Sequence, residues 1–239
     1  MKYLLVLTAF LFAFSTTTMA QNWKHSDYSK YNYKSFAKLK KVNEAIDIEK
    51  IDYALLNAAV FYESNRQRVN EALPEFNHSV ALEKASYEHS IDMVRKNFVN
   101  HVSKVKGKKT MSDRLELVGL TNIYAAENIA LSYVLDMKEN EAYYPPSQNG
   151  GYFSLEYKGE PIKPMSYLKA AKAVVKQWMD SPPHRKNLLN GDYKFLGCGI
   201  YLDKPKDGDN PPMFKATQLF SSADADYEAH PVSINYQDK

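Results

Sequence analysis

The side chains best suited to chemistry in this sequence are six histidines and one cysteine: His25, His78, His89, His101, His184, His230 and Cys198. Imidazole serves as metal ligand or general base, and thiolate is a strong nucleophile, so their surroundings decide which reactions are open. Cys198 lies in the apolar run Leu196-Gly197-Cys198-Gly199-Ile200, which predicts a buried strand and an inert thiol. A Cys198–His184 nucleophile pair is the alternative. His89 falls at helical spacing with Leu82, Ala85 and Met93, so it reads as a packed histidine holding one hydrogen bond. His78 follows Pro74 in a loop, and His25 and His230 lie toward the polar ends. There is no Gly-x-Ser-x-Gly elbow, no His-Glu-x-x-His and no phosphate-cradling glycine loop. The sequence therefore lacks a self-sufficient catalytic motif.

Composition narrows the setting. Lys2, the apolar run 4–14 and the small-residue site Thr18-Met19-Ala20 before Gln21 predict a secretory signal peptide over 1–20. The apolar run is too short for a stable bilayer span, and no later run reaches spanning length. The expectation is a secreted protein, periplasmic or extracellular, with no transmembrane anchor once the signal is removed. A single cysteine permits no internal disulfide, so the fold must rest on its core, and 44% hydrophobic content allows that. The missing bridges point to a bacterial source. A formal net charge of +3 is too small to argue for nucleic acid. Oligomeric state is left open by the sequence.

Such side chains need elements to position them. Residues 21–50 are polar and rich in Tyr and Lys, and read as a flexible lead-in with a short helix near 36–42. Helical periodicity marks 52–71 and 79–97, the latter capped by Ser79. A shorter helix is expected over 112–118, closed by Gly119. Residues 122–133 read as extended or irregular. An insertion over 136–165 carries Pro145-Pro146, Gly150-Gly151 and the aromatics Tyr143, Tyr144, Tyr152, Phe153 and Tyr157. A strand is expected at 152–157 within it. It either folds over a cleft or forms a surface hairpin on its own rings. Tyr167, Ala171, Val174 and Trp178 then make the apolar stripe of a strong helix over 166–181, and Pro182 opens a short one. Strands over 195–202 and 214–222 close the domain, and 223–239 reads as a peripheral tail. Helices grouped before strands indicate an α+β fold.

Five segments, in order, carry a family resemblance: Glu63-Ser64-Asn65-Arg66-Gln67-Arg68; Ala85 to Met93 with Asn97-Phe98-Val99-Asn100-His101; Ala126-Glu127-Asn128-Ile129-Ala130; Trp178 through His184 to Leu189; and Leu196 to Ile200. Together they resemble the CAP superfamily (the SCP domain of cysteine-rich secretory proteins, antigen 5 and plant pathogenesis-related proteins), in its bacterial secreted branch. The resemblance covers 51–222. It implies an α-β-α sandwich with a three-stranded antiparallel sheet between helical layers.

It also implies a cleft holding two histidines and two acidic residues. The matching positions are His101, Glu127 and His184, with Asp113 as the fourth and Glu116 as second choice. Ala126 stands where the family has glycine. Two imidazoles and carboxylates suit Zn²⁺ or a similar divalent ion, with His101 and His184 as metal ligands. The same groups can instead form a metal-free polar cluster. Asn65, Asn128 and Trp178 are expected to hold structure. No residue is assigned a catalytic role. The leading functional expectation is a non-enzymatic extracellular binding module for a lipid, a sterol or a protein partner. A metal-dependent, peptidase-like hydrolase is the alternative. A cell-envelope or host-interaction protein with a vestigial cleft is the third.

Overall fold

A computed structural model describes residues 23–236. The expected signal peptide lies outside the described residues. The expected helices form where caps and periodicity place them. Asp52 accepts from the Leu55 amide and starts α3 (Tyr53–Asn70), and Ser79 accepts from the Leu82 amide to start α4 (Val80–Arg95). The short helix α5 (Met111–Glu116) begins at Met111 with Thr110 as its cap, not at Ser112, and Gly119 follows it at φ +79°. Ser166 caps α6 (Tyr167–Asp180), and Pro182 opens α7 (Pro182–Leu188). Before them lie the one-turn helices α1 (Tyr33–Phe36) and α2 (Lys40–Asn43).

Four strands form one sheet: β1 (Asn77–His78), β2 (Ala125–Tyr133), β3 (Phe195–Asp203) and β4 (Met213–Ser221), in the order β1-β3-β4-β2. The expectation of three antiparallel strands is corrected here. β2 and β3 pair antiparallel with β4, but β1 adds a short parallel partner to β3. Two residues after Phe76 carry no alternation that a sequence can reveal. Of the two readings of 122–133, extended or irregular, the extended one holds, as β2.

Side-chain alternation sorts the sheet into two faces. Leu196, Cys198 and Ile200 of β3 join Phe214, Ala216 and Phe220 of β4 in the main core with α3 and α6. Leu219 faces the other way, packing with Ala81, Leu82 and Ala85 of α4. This is the expected helix–sheet–helix layering. Gly197 and Gly199 bring α4 against β3: a Cβ on them would lie 2.0 Å from the Glu83 amide nitrogen and 2.1 Å from that of Tyr87. Ser86 and Ser90 Oγ donate to the Gly197 and Gly199 carbonyls at 3.1 and 2.9 Å.

Both ends of the chain depart from the sequence reading. The segment read as a flexible lead-in buries Phe36, Val42 and Ile46, and Trp23 packs edge-on against Tyr28, Phe36 and Tyr62. The tail read as peripheral buries Ala225, and its Tyr236 hydroxyl donates to Glu83 at 2.5 Å. Isolated aromatics spaced with no regular period do this packing, which periodicity cannot detect. In the insertion, the expected strand at 152–157 is replaced by single bridges, Tyr144 to Ser154 and Ser154 to Pro161. Prolines at 145, 146 and 161 remove the amide donors that a ladder needs. Its rings pair among themselves, Tyr143 with Phe153 and Tyr144 with Tyr157. Among the described residues, no helix is long and apolar enough to cross a membrane.

Candidate functional site

The edge strand β2 positions the site. Glu127 lies opposite Leu219 and so points to the α4 face, while Asn128 lies opposite Gln218 and points to the α3 face. The site thus wraps the sheet edge. His101, in the loop after α4, donates from Nδ1 to Glu127 Oε1 at 2.8 Å, since an ionised carboxylate can only accept. That bond fixes the His101 tautomer. Its side chain is 53% exposed, against 3% for Glu127.

Glu127 Oε2 accepts from Arg114 Nη2 at 2.5 Å. Arg114 is buried, and its Nη1 also donates to the carbonyls of His101 and Lys108 at 3.2 Å each. Burial opposes ionisation of Glu127. The His101 hydrogen bond and the Arg114 charge outweigh it and hold the carboxyl below its usual range. His184, in the first turn of α7, has its pKa lowered by burial and then by His101. Asn128 Nδ2 donates to the His184 carbonyl at 3.1 Å, and Asn187 donates to Asn128 at 2.9 Å, so this asparagine ties α7 to β2. Trp178 Nε1 donates to the Ile129 carbonyl at 3.1 Å, and Asn65 bonds both backbone groups of Phe76.

The structure therefore brings His101 and Glu127 into contact and places His184 within electrostatic reach. Asp113 is used elsewhere. Its carboxylate accepts from the Thr110 amide at 2.9 Å and caps α5, and those bonds hold its pKa low. Glu116, the second choice, lines a groove of about 710 Å³ with Met111, Ser112 and Thr121. What the sequence reading missed is Arg114, one residue beyond Asp113. No spacing signal marks it, because a lone arginine on a short helix reads as solvated.

This donor set does not fit a zinc centre in which Glu127 is a direct ligand. Both Glu127 oxygens are engaged, one by a guanidinium whose charge opposes a dication. Among the described residues, no group of three or more His, Cys, Asp and Glu is arranged to hold a metal ion. Cys198 is buried beside Gln218, and burial pushes its thiol well above the usual range, which removes the Cys198–His184 nucleophile from the chemistry.

His89 lies behind the cluster, fully buried, with Nε2 donating to the Asn100 carbonyl at 3.1 Å. Burial lowers its pKa to about 4. Between pH 6.5 and 4 the unfolded chain then binds the proton and the folded chain does not, so stability falls as pH drops through that window. The loss expected from this group is on the order of 3 kcal/mol. Urea denaturation at pH 7 and pH 4.5 should show a smaller acid loss in His89→Gln than in the parent. An identical loss in both would remove His89 as its source.

The chain is 29% identical over 137 residues to the uncharacterized membrane protein YlbC of Bacillus subtilis, covering 57% of this chain and 29% of that protein. It is 27% identical over 136 residues to the uncharacterized protein YkwD of the same organism, covering 57% and 38%. The chain thus spans about a third of the length of these curated relatives. A solved extracellular protein containing an SCP domain from Bacillus anthracis aligns with 24% identity, 70% of this chain, 40% of that chain and a TM-score of 0.47. Residues 124–218, which run from the start of β2 through α7 into β4, match the family model for the cysteine-rich secretory protein family, CAP.

Proposed function

We propose that this protein is an exported extracellular binding module rather than an enzyme, and that it takes an apolar ligand of the lipid or sterol class. The observation that carries this reading is a cavity of about 550 Å³ between β2 and α6, lined on its apolar side by Leu131, Tyr133, Met137, Met165, Ala173 and Met213, and also by polar groups that include Lys138, Glu139, Lys176 and Asp180. Its volume suits a small ligand, and methionine adapts to irregular apolar shapes. The polar cluster at the other end of β2 supports the reading indirectly. Glu127 is charge-compensated and held by two partners, the arrangement of a structural cluster and not of a free general base.

The test is saturable binding of a fluorescent sterol and a fluorescent fatty acid to the folded protein. Ala173→Trp, which fills the cavity, is expected to weaken binding about tenfold or more, equivalent to ~1.4 kcal/mol. The His101→Ala/His184→Ala double variant is expected to leave it within about twofold, because tenfold is the scale of a real contact. Absence of saturable binding, or binding indifferent to Ala173→Trp, sinks the reading. The hydrolase alternative draws on the exposed ring of His101, and it requires peptide turnover that His101→Ala abolishes.

A further inference from the structure

A second histidine–carboxylate cluster lies away from the β2 edge, built from the N-terminal segment, β1, α4 and the C-terminal segment. Its centre is Glu83, a buried α4 carboxylate. Glu83 Oε1 accepts from Tyr236 Oη at 2.5 Å and Asn57 Nδ2 at 3.2 Å, and Oε2 accepts from Tyr28 Oη at 3.1 Å and from His78 Nε2. With its acceptor sites filled this way, Glu83 orients His78 and has little capacity left for a direct ligand. Tyr28 stacks on the His78 ring, centroids 3.5 Å apart and planes within 9°, locking the ring from the side.

The consequence is at the other nitrogen. Because Nε2–H of His78 is committed to Glu83, its Nδ1 carries the lone pair. Facing it at 3.1 Å is Nδ1 of His25, from the 3-10 turn His25–Asp27. Two nitrogens bound to one tetrahedral zinc at ~2.0–2.1 Å lie about 3.3 Å apart, close to the separation already present. A carboxylate holding the far nitrogen of a ligating histidine is the usual outer-sphere arrangement of such sites. His25 is exposed, and an adjoining cavity of about 310 Å³ lined by Trp23, His25, His78 and Tyr236 leaves room for water to complete the shell.

We propose that His25 and His78 form a binding site for a borderline divalent ion of the Zn²⁺ class, with Glu83 as the positioning residue. Imidazole pairs suit Zn²⁺, Cu²⁺ and Ni²⁺ over Mg²⁺ or Ca²⁺. The ion would tie the N-terminal segment to β1 and the edge of the sheet. This site is separate from the His101–Glu127–Arg114 cluster, and it assigns a role to two histidines that the sequence places in a loop and a polar end.

The experiment is a calorimetric Zn²⁺ titration of the untagged chain, run beside His25→Ala, Glu83→Gln and the His101→Ala/His184→Ala double variant. One ion per chain is expected. His25→Ala, at an exposed position, should weaken binding at least roughly tenfold while leaving the fold intact, and Glu83→Gln should weaken it about tenfold. The double variant should bind as the parent does. Zinc should also raise the melting temperature of the parent and not that of His25→Ala. A folded parent that binds no zinc, binding unchanged in His25→Ala, or binding lost only in the double variant would each overturn the proposal.

Discussion

Gly199→Ala is expected to leave the chain unable to hold its native sheet–helix contact, with a loss above about 4 kcal/mol, the exceptional end of single substitutions. The added Cβ would sit 2.1 Å from the Tyr87 nitrogen and 2.3 Å from its Cα. Both are backbone atoms of α4, so no side chain can rotate away. Ordinary overpacking costs ~1–3 kcal/mol because side chains yield. Here the helix itself must lift. That movement would also break the Ser90 bonds to the Gly199 carbonyl and to Thr217, each 2.9 Å. A whole domain is stable by only about 5–15 kcal/mol. Soluble yield and urea denaturation measure the effect, with Gly191→Ala as control, since nothing lies within 4 Å of a Cβ there. A Gly199→Ala protein within about 1 kcal/mol of the parent would show that α4 is not seated on β3 as described, because a typical substitution costs that much. The helix also carries Glu83 and His89, one at each polar cluster.

The legible parts of the fold were those with a repeating signal. Helices α3, α4 and α6 announce themselves by apolar periodicity and by Asp52, Ser79 and Ser166 at their starts. The motif Leu196 to Ile200 marks β3, and its glycines carry the information that a helix approaches. Illegible were contacts made by single residues far apart in the chain. Tyr236 reaches Glu83 across 153 positions, and Phe36 enters the core from a segment that looks solvated. The candidate site divides in the same way. His101, Glu127 and His184 could be picked out by resemblance, and the structure sets the first two in contact. Asp113 was the nearest acid at the right distance along the chain, but a carboxylate three residues after Thr110 satisfies a capping box locally. Local satisfaction won over a long-range role. The charge that does face Glu127 is positive, and residue spacing gives no means of telling a buried arginine from an exposed one.

Arg114→Met is the second substitution with a large expected effect, a loss of about 3–5 kcal/mol at neutral pH. The pair is desolvated on both sides, the Arg114 and Glu127 side chains being 2% and 3% exposed. Removing the guanidinium leaves a buried carboxylate with only His101 to stabilise it. It also frees the carbonyls of His101 and Lys108 that Arg114 holds, so the loop bearing His101 loosens.

The pH dependence of that loss has a definite sign. In the parent, the Glu127 pKa is depressed, so its contribution is present above the unfolded value of about 4.5 and is lost as pH falls through the folded value. Without Arg114, burial is the dominant influence and raises that pKa. The variant should then recover stability relative to the parent as pH falls toward 5, the reverse of the parent's behaviour. Adding Glu127→Gln to Arg114→Met removes the unpaired charge, and the double variant should be more stable than Arg114→Met alone, giving a coupling energy of ~2 kcal/mol or more in a double-mutant cycle. Additivity of the two changes would mean that the contact carries no charge compensation, and Glu127 would regain its candidacy as a direct cation ligand. Coupling of the expected size means that the carboxylate at the sheet edge is neutralised from within the protein, which is why the proposed ligand chemistry is placed in the cavity along β2 and at His25 and His78.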